Sequence, residues 1–161
     1  MPRSDLRRRG LALLLRQDAY SLSDDPAHLD RRLIQQWLHD ESYWAAGIPE
    51  DVQERAIAGS LNFGVYEGEP GSRQVAYARV VTDRATFAWL CDVFVVREHR
   101  GRGLGKWLMD SVMAHPELQG LRSFILATRD AHTLYERYGF ERVEGSERFM
   151  RIHPRPYRAA P

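Results

Sequence analysis

The stretch REHRGRGLGK, from Arg97 to Lys106, decides how the whole chain is read. Three glycines alternate with cations here, between an apolar run at 86–96 and a segment where Leu104, Trp107, Leu108, Ser111 and Val112 trace one helical face up to Pro116. A strand-to-helix turn of this kind lets the backbone approach a ligand closely, gathers several N–H groups and adds the positive end of the helix. It reads as a nest for phosphate or pyrophosphate, with a flexible glycine turn as the plainer alternative. Two phosphate motifs fail on spacing. A P-loop needs serine or threonine after the lysine, where Trp107 stands, and the dinucleotide fingerprint needs glycine where Lys106 stands.

Working outward, Asp25 and Pro26 form a helix start, and Leu29, Leu33, Ile34, Trp37 and Leu38 follow at helical spacing. Pro49, Glu50 and Asp51 open a second helix that stops near Gly59. The runs 61–67 and 74–82 flank turn residues and predict an antiparallel hairpin. Beyond the glycine turn come a helix, a strand at 123–128, and a helix carrying Ala131, Leu134, Tyr135 and Tyr138 on one face with Gly139 as its cap. A final strand pair is expected over 140–152, then a loose tail at 154–161. Residues 20–23 read as extended, and residues 1–19 as an N-terminal extension or a first short element. The order predicts a mixed α/β sheet flanked by helices, parallel where strand, helix and strand alternate.

The chain has 161 residues, 43% hydrophobic and 28% charged, the profile of one soluble globular domain spanning 1–161. The net charge is +1, although Lys106 is the only lysine among 23 basic residues. A balance so near zero argues against a nucleic-acid-coating protein. The basic cluster Arg3, Arg7, Arg8 and Arg9 precedes an apolar run too short for a secretory signal, and no stretch is long enough for a membrane span. One cysteine, Cys91, allows no internal disulfide and no zinc ribbon, which fits a reducing, cytoplasmic setting without a metal.

The phosphate turn, with Arg100, Gly103 and Gly105, and the segment LYERYGF at 134–140 together resemble the GNAT superfamily of N-acyltransferases that use acyl-coenzyme A. The segments SYWAAGIP and ATRDAHTLYERYGF look like those of a small bacterial subgroup. The resemblance implies a mostly antiparallel sheet with a parallel, splayed pair and about four helices. It implies acetyl-CoA as donor, its pyrophosphate held by the backbone of Gly101, Arg102, Gly103, Leu104, Gly105 and Lys106, with the Arg100, Arg102 or Lys106 side chains reaching phosphate oxygens. Phe94, Val95 and Val96 would bond the pantetheine arm through their backbone. Leu134 belongs to the same motif. Thr128 stands where many members carry asparagine. The acceptor is expected to be a small-molecule or peptide amine, and family members are often dimers.

Tyr135 is selected by the motif as general acid toward the departing thiolate, although Tyr138 shares its helix face. Asp92 interrupts an apolar strand; it is either a general base or a carboxylate satisfied by backbone groups or by an arginine such as Arg79. Tyr43, Trp44, Phe87 and Trp89 are candidates for an acceptor pocket, with core packing as the alternative. Cys91 as a nucleophile has no evident activating histidine, and His99 and His132 lack partners at metal-ligand spacing. The expected activity is direct acetyl transfer to a primary amine. A non-catalytic acyl-CoA sensor on the same fold and an arginine-mediated nucleic-acid binder are the competing classes.

Overall fold

The computed structural model describes residues 12–152 and 156–157. Strands β1 (Leu14–Gln17) and β2 (Tyr20–Ser23) lead into helices α1 (Arg31–Asp40) and α2 (Glu50–Ala58). Strands β3 (Leu61–Glu67), β4 (Arg73–Thr82) and β5 (Phe87–Val95) follow, then α3 (Leu104–Met113), β6 (Ser123–Leu126) and α4 (His132–Glu136). Residues 14–17, read as an extension or first element, thus form an edge strand. The arginine cluster at 3–9 and most of the tail at 154–161 lie outside the described residues.

Capping chemistry sets the helix boundaries, with one shift from expectation. Asp25 does cap a turn by accepting from the Ala27 N–H, but that turn is a short 3-10 segment, Pro26–His28. The α-helix begins only at Arg31, capped by Asp30, whose side chain accepts from the Leu33 N–H at 2.9 Å. Helix α2 starts after Pro49, with Glu50 and Asp51 at the positive end of its dipole, and stops at Gly59.

The six strands lie in sequence order, each pair antiparallel except β5 and β6, which run parallel. Parallel pairing runs from Phe87 opposite Ser123 to Leu90 opposite Leu126 and stops there, while β5 continues to Val95. The two strands therefore part after Leu90. On its other edge β5 carries a bulge: between the pairs Tyr77–Phe94 and Arg79–Cys91 it has one residue more than β4, and Asp92 sits at φ +55°. A non-glycine residue in the left-handed region marks an irregularity held in place by its surroundings.

One face of the sheet packs under α3, which buries Leu104, Leu108, Met109 and Val112 against Phe63, Val65 and Ala78. The other is covered by α1 and α2 through Ile34, Leu38 and Ile57 against Tyr77 and Phe94. Each such side chain contributes roughly 1.5–3 kcal/mol by leaving water.

The strand pair expected over 140–152 is absent among the described residues. That segment holds only a 3-10 turn, Ser146–Arg148, and Val143, Phe149, Met150 and Ile152 stay exposed. Between Phe140 and Phe149 only Val143 is apolar in a charged run, so there is no continuous apolar face to bury.

Candidate active site

A cleft of about 940 Å³ opens where β5 and β6 separate. Residues 89–95 of β5 form one wall, residues 126–131 with Leu134 and Tyr135 the other, and Gly105, Lys106 and Met109 of α3 close one end. Trp37, Tyr43 and Trp44 cover the opposite side.

The α3 end is the glycine nest. Gly101 and Gly103 lie at φ +76° and +78°, with open space around the position of an added Cβ, so the backbone angle and not crowding calls for glycine. Gly103 opens α3 without a side-chain cap, which leaves the first-turn N–H groups without intrahelical partners. The cationic side chains are largely engaged elsewhere. Arg102 donates to the Tyr20 hydroxyl at 3.0 Å and to the Glu98 carbonyl; Lys106 pairs with Asp110 at 2.7 Å; Arg100 donates through Nε to the Val95 carbonyl at 2.9 Å. Tyr20 is also joined to buried His99 at 2.9 Å, tying the turn to β2. Leu104 points into the core, so only its backbone is available.

Along β5 the hydrogen-bond alternation selects which N–H groups face the gap. The Val96 N–H donates to the Val75 carbonyl, and Phe94 pairs with Tyr77 in the same register, so both face β4. Val95 lies between them and directs its N–H and carbonyl toward the gap, consistent with the bond its carbonyl takes from Arg100.

At the opposite end, Tyr43, Trp44 and Trp89 are 47%, 42% and 38% exposed, a set of large aromatic rings facing the cleft. The loop between α1 and α2 is fastened to both walls. Trp44 Nε1 donates to Asp92 Oδ1 at 2.8 Å. Across the gap, the Arg129 N–H donates to the Tyr43 hydroxyl at 3.1 Å, and the Arg129 guanidinium carbon lies 3.9 Å from the Tyr43 ring centroid. Trp37 stacks on Phe94 at 4.2 Å beneath this loop.

Asp92 is buried, with Oδ2 receiving Arg79 Nε at 2.7 Å. Both oxygens accept strong bonds, so of the two readings offered by the sequence the satisfied carboxylate fits this geometry. Burial pushes the neighbouring Cys91 thiol up to about 12, which leaves it protonated and unreactive at neutral pH.

Tyr135 is half-buried between the cleft and a second cavity of about 600 Å³ on the far side of β6. Burial first, and Tyr43 second, raise its phenol above the ordinary range, so it stays a hydrogen donor. Its placement is fixed by the end of α4: the Gly139 N–H bonds the Glu136 carbonyl and the Phe140 N–H the Tyr135 carbonyl, with Gly139 at φ +87°. Thr128 accepts the Ala131 N–H at 3.0 Å and lines both cavities. Tyr138, the rival on the same face, lines only the far cavity.

Of the residues expected at the site, the structure gathers Tyr43, Trp44, Trp89, Asp92, Phe94, Val95, Arg100, Gly105, Lys106, Thr128, Leu134 and Tyr135 around one cleft. It leaves Phe87 outside, at the closed end of the β5–β6 pair. Val96, Gly101, Arg102, Gly103 and Leu104 do not line the cleft either. The backbone of Phe94 and Val96, expected to bond the pantetheine arm, is taken up by β4. Trp37 and Arg129 are cleft residues that sequence reasoning did not single out. Trp37 was hidden in the periodicity of a core helix, and the only signal for Arg129 was its position beside Thr128.

Residues 59–142 match the family model of the acetyltransferase (GNAT) domain. A Gibberella zeae protein assigned as an acetyltransferase is 32% identical over 135 residues, covering 72% of this chain and 75% of that protein. A crystal structure of a protein from Xanthomonas campestris, assigned as a GNAT-family acetyltransferase, superposes with a TM-score of 0.79 at 52% identity, covering 84% of this chain and 93% of that one. AAC(6')-Iy, solved with a CoA-linked bisubstrate analogue, shares the fold at 18% identity and a TM-score of 0.58, over 84% of this chain and 98% of that one.

Proposed function

The chain belongs to the GNAT acetyltransferase family, and from that footing we propose that it transfers an acetyl group from acetyl-CoA to a primary amine by direct attack in a ternary complex. The observation that carries this reading is the cleft between the parted strands, with a nest of N–H groups at one end, the Tyr135 phenol along one wall and an aromatic rim at the other end. The CoA-linked analogue bound by AAC(6')-Iy supports the choice of donor.

In this reading the backbone of 101–106 holds the pyrophosphate, with the helix dipole adding to the attraction. Arg100 is the cleft cation nearest β5 in bonding and reaches phosphate by turning from the Val95 carbonyl, whereas Arg102 and Lys106 first exchange their present partners. Gap-facing backbone of β5, Val95 above all, aligns the pantetheine arm and polarises the thioester carbonyl. The amine nitrogen forms its bond to the acetyl carbon as the carbon–sulfur bond breaks. Sulfur takes a proton from Tyr135, which is reprotonated from solvent, and the new ammonium loses its proton to water. Asp92 holds Trp44 and Arg79 in place; the acceptor arrives neutral and needs no strong base. The half-buried, protonated Cys91 supports a non-covalent route, and a chain with a single cysteine, which can form no internal disulfide, suits a reducing, cytoplasmic setting.

The test is CoA release from acetyl-CoA across a panel of primary amines at pH 8. Amine-dependent release with formation of the N-acetyl product supports the reading; CoA binding with no release for any amine contradicts it.

A further inference from the structure

Arg129 stands at the acceptor end of the cleft in a position that the transfer reaction does not use. Its guanidinium carbon sits over the Tyr43 ring, 3.9 Å from the centroid, and its own main-chain N–H donates to the same tyrosine's hydroxyl at 3.1 Å. Side chain and main chain thus grip one ring. No hydrogen bond from the guanidinium itself is found among the described residues, so its N–H donors, which pair with carboxylates in bidentate fashion, remain available. No salt bridge to Arg129 is found among the described residues.

Of the two carboxylates lining the cleft, Asp92 is already bonded to Arg79 and Trp44, which leaves Asp130 beside Arg129 at this end; Lys106 is paired with Asp110 and stands with Arg100 toward the glycine nest. A polycationic acceptor would meet little counter-charge. The neighbouring surfaces are the exposed rings of Trp44 and Trp89, which suit an apolar body. We infer that Arg129 is a specificity-determining residue that receives a carboxylate on the acceptor, so that the acceptor class is an apolar or aromatic amine bearing a carboxylate, such as an amino acid. This rests on the acceptor site placed by the proposed transfer reaction, but its test does not require turnover.

The CoA-saturated enzyme is titrated calorimetrically with 3-phenylpropanoate and with the neutral 3-phenylpropan-1-ol, for wild type, Arg129→Gln and Arg129→Lys. Wild type is expected to bind the carboxylate about tenfold more tightly than the alcohol, in line with a charge-assisted bond. Arg129→Gln brings that ratio close to one and Arg129→Lys retains part of it. Equal binding of the two probes by wild type, or a ratio unchanged in Arg129→Gln, overturns the inference. A parallel assay compares CoA release with L-phenylalanine and 2-phenylethylamine, and the carboxylate-bearing amine is expected to be preferred. Failure of both amines there, with the binding ratio intact, counts against acetyl transfer and leaves the Arg129 site standing.

Discussion

Trp44 and Asp92 are joined at 2.8 Å across the mouth of the cleft, so a carboxylate at a strand bulge fixes a ring from the loop between two helices. The other Asp92 oxygen holds Arg79 at 2.7 Å. Bulge, ion pair and aromatic wall are therefore one connected unit.

Removing the ring's donor separates wall from bulge. Trp44→Phe keeps an aromatic surface but loses the bond, worth about 1.5–3 kcal/mol for a charged acceptor. The KM for the amine is expected to rise about tenfold while the Kd for CoA stays unchanged, as read by steady-state kinetics and calorimetry.

Breaking the other half has a different signature. Arg79→Met leaves Asp92 buried with no cation, and stability is expected to fall by about 3–5 kcal/mol in denaturant unfolding. Asp92→Asn also separates the two readings of this residue: if Asp92 only positions its neighbours, the acid limb of the kcat/KM profile keeps its midpoint in Asp92→Asn. Disappearance of that limb would make Asp92 the base.

Much of this arrangement was legible in the chain because it depends on local spacing. Turn residues between the β-rich runs 61–67 and 74–82, acids at the start of α2, and Gly139 after a helical face all write their structure into neighbouring residues. Asp92 announced itself as an exception in an apolar strand, with Arg79 one of the arginines that could satisfy it. Trp44 could not be read as a partner, since it lies 48 residues away in sequence, and the Tyr43–Arg129 grip spans 86. Phe87 shows a further limit: strand alternation gives the face of a side chain but not its distance along the cleft, and the parting of β5 and β6 begins beyond it. The segment 140–152 lacks strands among the described residues because its apolar side chains are too sparse to make a face that the sheet could bury.

The nest depends on two left-handed glycines. Gly103→Ala meets no neighbour but must adopt φ +78°, at a cost of about 1–2 kcal/mol for an L residue. Relaxation of that angle turns the first N–H groups of α3 away, and the Kd for CoA is expected to rise about tenfold, as read by calorimetry.

Stability at low pH has a named contributor in the β4–β5 turn. Asp83 accepts from the Thr86 hydroxyl and from the N–H groups of Ala85, Thr86 and Phe87, which holds its carboxyl well below the ordinary carboxylate range. A depressed folded-state value means that the contribution is fully present above the unfolded-state value, roughly pH 4, and is lost as pH falls below it. Melting temperature measured from pH 5 to pH 2 is therefore expected to fall more steeply for wild type than for Asp83→Asn. Parallel curves would remove Asp83 from this role.

The central claim is that Tyr135 donates the proton that lets CoA leave. Tyr135→Phe keeps the ring and removes only the hydroxyl, so kcat for acetyl transfer, measured by CoA release at saturating amine, is expected to fall about 100-fold, within the range for a positioned acid. Calorimetry on the same variant is expected to give a Kd for acetyl-CoA within about twofold of wild type, since the nest is untouched. An unchanged kcat, or a loss confined to acetyl-CoA affinity, would contradict the account.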